Sequence, residues 1–283
     1  MPFISYKLVR EVLQELKYFP YHAYKVSTSR AKNGVCPHEK YYFGTKKNQY
    51  LCWFEPREVL HEQLIVFYHG GGWTFGTPEL FSDRAKIFTD LGYRVVMPAH
   101  RKLPLHNYSQ IREDLILTLQ QIASIFDQKN INKRKIVVGG MSSGGNLAGL
   151  LLFDRTLWQN TNLRATNFAG GFFCGAPLNL EGMTDSFLLE GYAGKRKSPT
   201  FQRASPMYHL SKKINYPILV VHGTKDGLVN YSGTERFVQE LQRVNKKTTD
   251  FYTIKRGSHL KSVSWAYENN EVRAKILSWL TTL

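Results

Sequence analysis

Gly140-Met141-Ser142-Ser143-Gly144-Gly145-Asn146 stands between a short apolar run, Lys135–Val138, and a helix-like stretch that begins at Gly145. This is a G-x-S-x-G pattern in the strand-to-helix setting that such a turn needs. The turn is so tight that the positions two before and two after the serine must be nearly without side chains, and Gly140 and Gly144 meet that need. Ser142 then stands at the tip, over the N-terminus of the following helix, whose positive end favours developing negative charge. A phosphate-cradling loop is the rival reading, but its Gly-Lys-Ser/Thr ending is absent.

Outward from this turn the chain alternates. The apolar runs Leu64–Tyr68, Arg94–Met97, Lys135–Val138, Phe168–Cys174, Pro217–Val221 and Asp250–Ile254 are separated by amphipathic stretches around Glu79–Leu91, Ser109–Phe126, Gly145–Leu157, Tyr231–Val244 and Ser262–Leu280. Short, non-alternating strands between helices predict an α/β class with a mostly parallel sheet of about eight strands, helices on both faces. In such sheets sites form at the carboxyl ends of the strands. Tyr41–Phe43 and Tyr50–Phe54 predict an edge hairpin. Leu8, Val9, Val12, Leu13 and Leu16 recur at helical spacing, so residues 1–40 are expected to begin with a helix closed by Pro20. Leu178–Leu210 is aromatic, basic and without period, and is expected to be a small cap inserted over the strand ends within one domain spanning 1–283.

Three further motifs follow strands. His69-Gly70-Gly71-Gly72-Trp73 comes directly after Leu64–Tyr68. Three glycines in a row cost backbone entropy, and close approach of N–H groups to a ligand oxygen is a reason to keep them. Gly71, Gly72 and Ser143 are the candidate oxyanion donors. Asp226 lies just past the run ending at Val221, and His259 just past the last strand. The order Ser142, Asp226, His259 is that of an α/β-hydrolase triad. Alone, an Asp after a strand is usually a cap or turn former. Glu235, inside a helix, is a weaker candidate acid, and Asp250 begins a strand and so belongs at the wrong end of the sheet. His69 is expected to shape the glycine loop and His222 to stand behind the triad, while His100 and His106 have no matching acid nearby.

The four motifs, His69–Trp73, Gly140–Asn146, His222–Asp226 and Gly257–His259, together resemble the α/β-hydrolase superfamily, and within it the carboxylesterases similar to hormone-sensitive lipase and the bacterial acetyl-esterase/lipase-like enzymes. The resemblance runs from about Leu64 to the C-terminus and includes His100-Arg101-Lys102-Leu103-Pro104, where the family often reads Tyr-Arg-Leu-Ala-Pro, followed by Asp114. Met141 and Ser143 depart from the family's Asp and Ala around the nucleophile. The resemblance implies hydrolysis of carboxylic esters through an acyl-enzyme, with no metal or organic cofactor. A short insertion points to small acyl groups. Trp73, Phe75, Tyr192, Phe201 and Tyr208 are the candidate pocket walls, each equally readable as core packing. An amidase, formamidase or peptidase would use the same residues, and a non-catalytic binding protein on this scaffold would normally lack one of them.

Composition bounds the rest. The chain has 283 residues and a net charge of +16, which could attract an anionic partner or simply keep the surface solvated. The basic residues come in short groups such as Lys46-Lys47, Lys195-Arg196-Lys197 and Lys246-Lys247, with no zinc-finger or RNP signature, so no nucleic-acid partner is expected. A lipase drawn to a membrane surface by its charge is a lesser alternative. Cys36, Cys52 and Cys174 imply neither a disulfide framework nor a metal site. With no signal peptide and no stretch of about 18 apolar residues, a cytoplasmic enzyme without stable membrane insertion is expected, with a small ester as its partner and a homodimer as one possible assembly.

Overall fold

The computed structural model describes Pro20, residues 24–25, 27–28, 36–131, 135–211 and 214–283. The helix expected over Leu8–Leu16 lies outside the described residues.

Eight strands form one sheet: β1 (Glu39–Tyr42), β2 (Tyr50–Phe54), β3 (Gln63–Tyr68), β4 (Arg94–Pro98), β5 (Lys135–Met141), β6 (Phe168–Cys174), β7 (Ile218–Gly223) and β8 (Thr249–Ile254), in the spatial order β1-β2-β4-β3-β5-β6-β7-β8. β1 and β2 pair antiparallel at one edge, β2 pairs antiparallel with β4, and the remaining pairs are parallel. Parallel pairing needs a crossover between successive strands, and helices supply it. They are α1 (Ser82–Thr89), α2 (Tyr108–Gln128), α3 (Ser143–Phe153) and α6 (Tyr231–Val244), while α8 (Glu271–Leu280) follows the last strand. Two short helices, α4 (Phe187–Ala193) and α5 (Pro199–Arg203), lie in the segment between β6 and β7, and α7 (His259–Val263) opens the segment after β8.

The pleat divides the core in two. Leu64, Val66 and Tyr68 of β3 point to one face and cluster with Ile111 and Leu115 of α2, Leu147 and Leu151 of α3 and Phe237 of α6. Ile65 and Phe67 point to the other and cluster with Ala85 and Phe88 of α1 and Ile276 and Trp279 of α8. Both faces of the central strands are dry, which is why their sequences run apolar without alternation. Gly139 of β5 leaves room for Phe172 of β6, whose ring would come within 2.2 Å of a Cβ there.

Two expected helices differ. The stretch Ser262–Leu280 is not continuous: Asn270 accepts from the N–H groups of Val272 and Arg273 and so starts α8 afresh after α7. The helix expected over Gly145–Leu157 ends at Phe153, because Asp154 accepts from Thr156 N and caps a separate 3-10 turn, Arg155–Trp158. Both breaks are side-chain caps that compete with the helix ladder.

Candidate active site

Ser142 follows β5 directly, with φ 51° and ψ −132°, a backbone state that costs a non-glycine residue energy and persists only when its surroundings impose it. Here they do. Ser142 N donates to Cys174 O of β6 at 2.9 Å, and Gly145 N donates to Ser142 O at 2.9 Å. A Cβ on Gly140 would meet Gly144 O at 2.5 Å, and one on Gly144 would meet His69 O at 2.1 Å. The two glycines therefore press the serine turn together and press it against the glycine loop. Gly70 also lies near the serine: a Cβ there would stand 3.1 Å from that of Ser142.

The other two side chains reach Ser142 from neighbouring strand ends. A Cβ on Gly223, the last residue of β7, would meet Gly257 O at 2.3 Å. Lys225 N donates to Gly257 O at 2.8 Å, and Arg256 N donates to Thr224 Oγ1 at 2.8 Å. These contacts lock the turn carrying Asp226 to the turn leading into His259. His259 Nε2 lies 3.0 Å from Ser142 Oγ, and its Nδ1 lies 2.8 Å from Asp226 Oδ2. Since a carboxylate can only accept, Nδ1 carries the proton and Nε2 faces the hydroxyl as an acceptor. Ser142 is partly exposed, whereas Asp226 and His259 are buried.

Asp226 is held ionised. Burial alone would push its carboxyl up, but His259 and the hydrogen bonds from His222 and His259 pull it well below the usual carboxylate range. Oδ1 accepts from Leu228 N at 2.9 Å and Val229 N at 2.8 Å. Glu235 and Asp250, the two rejected acids, are not part of this arrangement: Asp250 meets Lys275 at 3.3 Å, in the strand β8 rather than past its end.

The glycine loop supplies donors. Gly71 and Gly72 have φ of +134° and +60°, and Trp73 follows at +59°. Among the described residues, the N–H groups of Gly71, Gly72 and Ser143 have no protein acceptor. His69 shapes the loop: its Nδ1 lies 2.7 Å from Gly70 O, and its ring stacks on Phe81. Burial pushes its pKa down to about 4, so it is neutral and donates from Nδ1.

The candidate pocket residues separate. Trp73 and Tyr192 stack face to face with centroids 4.1 Å apart, and Tyr192, fully buried, donates its hydroxyl to Asn146 Oδ1 at 2.7 Å. Tyr192 is thus a packing residue and not an open wall. Phe201 is also buried, beneath the Arg196 guanidinium. Phe75 is exposed beside Gly71, to whose carbonyl its own N–H donates. Tyr208 is exposed, and its recorded ring contact is with His209. Leu188 of α4 reaches within 3.4 Å of where a Cβ on Gly72 would stand.

Asn146 is the residue whose part the sequence did not reveal. Besides accepting from Tyr192, its Nδ2 donates to Pro177 O at 3.2 Å and Ala204 O at 3.0 Å. It ties the first turn of α3 to both ends of the insertion. Its place after the glycine pair was the only available signal. Among the described residues, one group could by spacing hold a cation: His38, Cys52 and Glu79, with ligand atoms within 4.8 Å of one another. However, Lys40 Nζ lies 2.6 Å from Glu79, Tyr50 donates to it, and burial pushes the Cys52 thiol up to about 12, so these groups are spoken for.

The family described as the alpha/beta hydrolase fold matches residues 65–163, the span from the middle of β3 past the serine turn. The chain has the α/β-hydrolase fold. Solved structures agree across nearly its whole length. Esterase B from Lactobacillus rhamnosis aligns with a TM-score of 0.75 at 18% identity, covering 97% of this chain and 94% of its own. The Thermogutta terrifontis esterase Est2, solved with butyrate bound, aligns at 0.66 and 17%, covering 86% and 94%. Carboxyl esterase 2 from Tuber melanosporum aligns at 0.68 and 18%, covering 85% and 84%. No curated protein matches the sequence significantly.

Proposed function

We propose that this α/β hydrolase is a serine esterase that cleaves small carboxylic esters with short acyl groups. The observation that carries the reading is the position of His259, 3.0 Å from Ser142 Oγ and 2.8 Å from Asp226 Oδ2, beside three N–H groups with no protein acceptor. His259 takes the hydroxyl proton as Ser142 Oγ attacks the ester carbonyl carbon. Asp226 fixes the imidazole tautomer and stabilises the imidazolium. Gly71, Gly72 and Ser143 donate to the oxyanion, each donor contributing on the order of 3 kcal/mol in the transition state. The imidazolium then protonates the departing alcohol. Water, deprotonated by the same imidazole, attacks the acyl-enzyme and releases the acid.

The short-acyl preference rests on the small insertion, whose helices have only seven and five residues. It is supported by analogy with Est2, solved with butyrate, and with Esterase B, solved with a C4-C4 tributyrin phosphonate. Rates on p-nitrophenyl esters from acetate to palmitate test it. Acetate or butyrate is expected to have the highest kcat/KM. A maximum at long chains rejects the acyl preference, and turnover of amides but not esters rejects the esterase.

A further inference from the structure

His222 is fully buried on β7. Its Nε2 lies 3.0 Å from Val229 O and 3.1 Å from Asp226 Oδ2. Both neighbours of Nε2 are acceptors, so that nitrogen must carry a proton. The other nitrogen, Nδ1, is buried with no hydrogen-bond partner, and Tyr231 of α6 presents its ring edge-on to the imidazole. The neutral ring with its proton on Nε2 satisfies this surrounding, since a second proton on Nδ1 would have nothing to bond.

The one N–H on His222 Nε2 is therefore shared between Val229 O, its hydrogen-bond partner, and Asp226 Oδ2, the same oxygen that accepts from His259 Nδ1. We propose that His222 is a positioning residue for the esterase reaction: by donating a proton to the carboxylate oxygen that faces His259, it holds that oxygen in line and sets how strongly Asp226 attracts the imidazolium. The inference rests on the esterase reading of the site. A hydrogen bond to a carboxylate spreads its charge, so its removal concentrates charge on Oδ2 and raises the pKa of the imidazole it faces. Among the described residues, no further side chain donates to Oδ2. β6 presents Cys174, its thiol pushed up by burial, β8 pairs Thr253 with His222, and α6 presents Tyr231, whose hydroxyl is engaged with Thr253 Oγ1. Lys225 and Arg256 in the flanking turns and Lys261 on α7 are exposed to solvent.

The test compares the pH profile of kcat/KM on p-nitrophenyl acetate for the wild type, His222→Leu and His222→Gln. Leucine removes the donor, while glutamine can place an amide N–H near the same point. The acid limb of His222→Leu is expected to move to higher pH by about half a unit or more, and that of His222→Gln to stay near the wild type. Identical limbs in all three, with a uniform loss of rate, would make His222 merely structural and overturn the inference. If His222→Leu has no cooperative melt, nitrogen-15 NMR of histidine-labelled wild type decides: His222 is expected to carry its proton on Nε2 at the pH of the assay. An Nδ1-protonated His222 overturns the proposal. A folded wild type that turns over no ester panel fails the esterase reading instead, and the NMR result is unaffected by it.

Discussion

At Asp226 two backbone N–H groups donate to Oδ1, His259 donates to Oδ2 and His222 Nε2 lies 3.1 Å from the same oxygen. The carboxylate has no freedom to turn away, as the orienting part proposed for it requires. Asp226→Asn keeps the size but can no longer fix the proton on His259 Nδ1, so kcat/KM is expected to fall by roughly 10³–10⁴ at neutral pH with the melting temperature changed by a few degrees. A stopped assay on p-nitrophenyl acetate with a parallel thermal melt checks this. Ser142, Asp226 and His259 are legible as a set because each follows an apolar run, and the sheet rule then places all three at one edge. His222 and Asn146 are not legible in the same way. Their partners are the carbonyls of Val229, Pro177 and Ala204 and the hydroxyl of Tyr192, and no pattern of residue types announces a backbone carbonyl.

At the scale of elements, the join between α3 and the insertion is the most exposed to mutation. Asn146, Tyr192 and Trp73 link the first turn of α3, the helix α4 and the end of the glycine loop through one hydrogen bond and one ring stack. Asn146→Ala leaves the Tyr192 hydroxyl and two carbonyls unpaired in a buried place, at about 1–3 kcal/mol. Denaturant unfolding should show that loss, and KM for p-nitrophenyl butyrate should rise as the insertion loosens over Gly72. Gly144→Ala is expected to be worse, because the new methyl would collide with His69 O and Tyr68 O rather than with a yielding side chain; soluble yield and ester turnover should both collapse. The strands and the hairpin are legible from their apolar runs, since hydrophobic burial on both faces dictates the composition. Helix ends are less so: Asn270 and Asp154 break expected helices by capping new ones, which local polar chemistry decides against a continuous apolar period. The insertion has no period at all, because its short helices are held by such contacts as Arg196 to the carbonyls of Glu181 and Met183.

Over the whole molecule, the buried histidines make stability depend on pH. His69 has a folded pKa of about 4 against an ordinary 6.5, lowered first by burial. Between those values the unfolded chain binds a proton that the native one refuses, so stability rises with pH across this window and falls as pH drops through it. The expected loss from His69 between pH 7.5 and pH 5 is about 2 kcal/mol, and His100, also lowered well below its ordinary value by burial, shifts stability the same way. Asp226, held low, acts only in more acid solution. Urea unfolding at the two pH values measures the difference, and equal midpoints would show that His69 protonates without opening the fold. Among the described residues, no helix is long and apolar enough to cross a membrane. The whole sheet exists, in this account, to bring one hydroxyl against one imidazole. A fluorophosphonate probe followed by peptide mass analysis measures that most directly. A single adduct is expected on the peptide carrying Ser142, abolished in a folded Ser142→Ala variant and slowed by orders of magnitude in His259→Ala. An adduct on a different residue, or no adduct on a folded wild type, would contradict it.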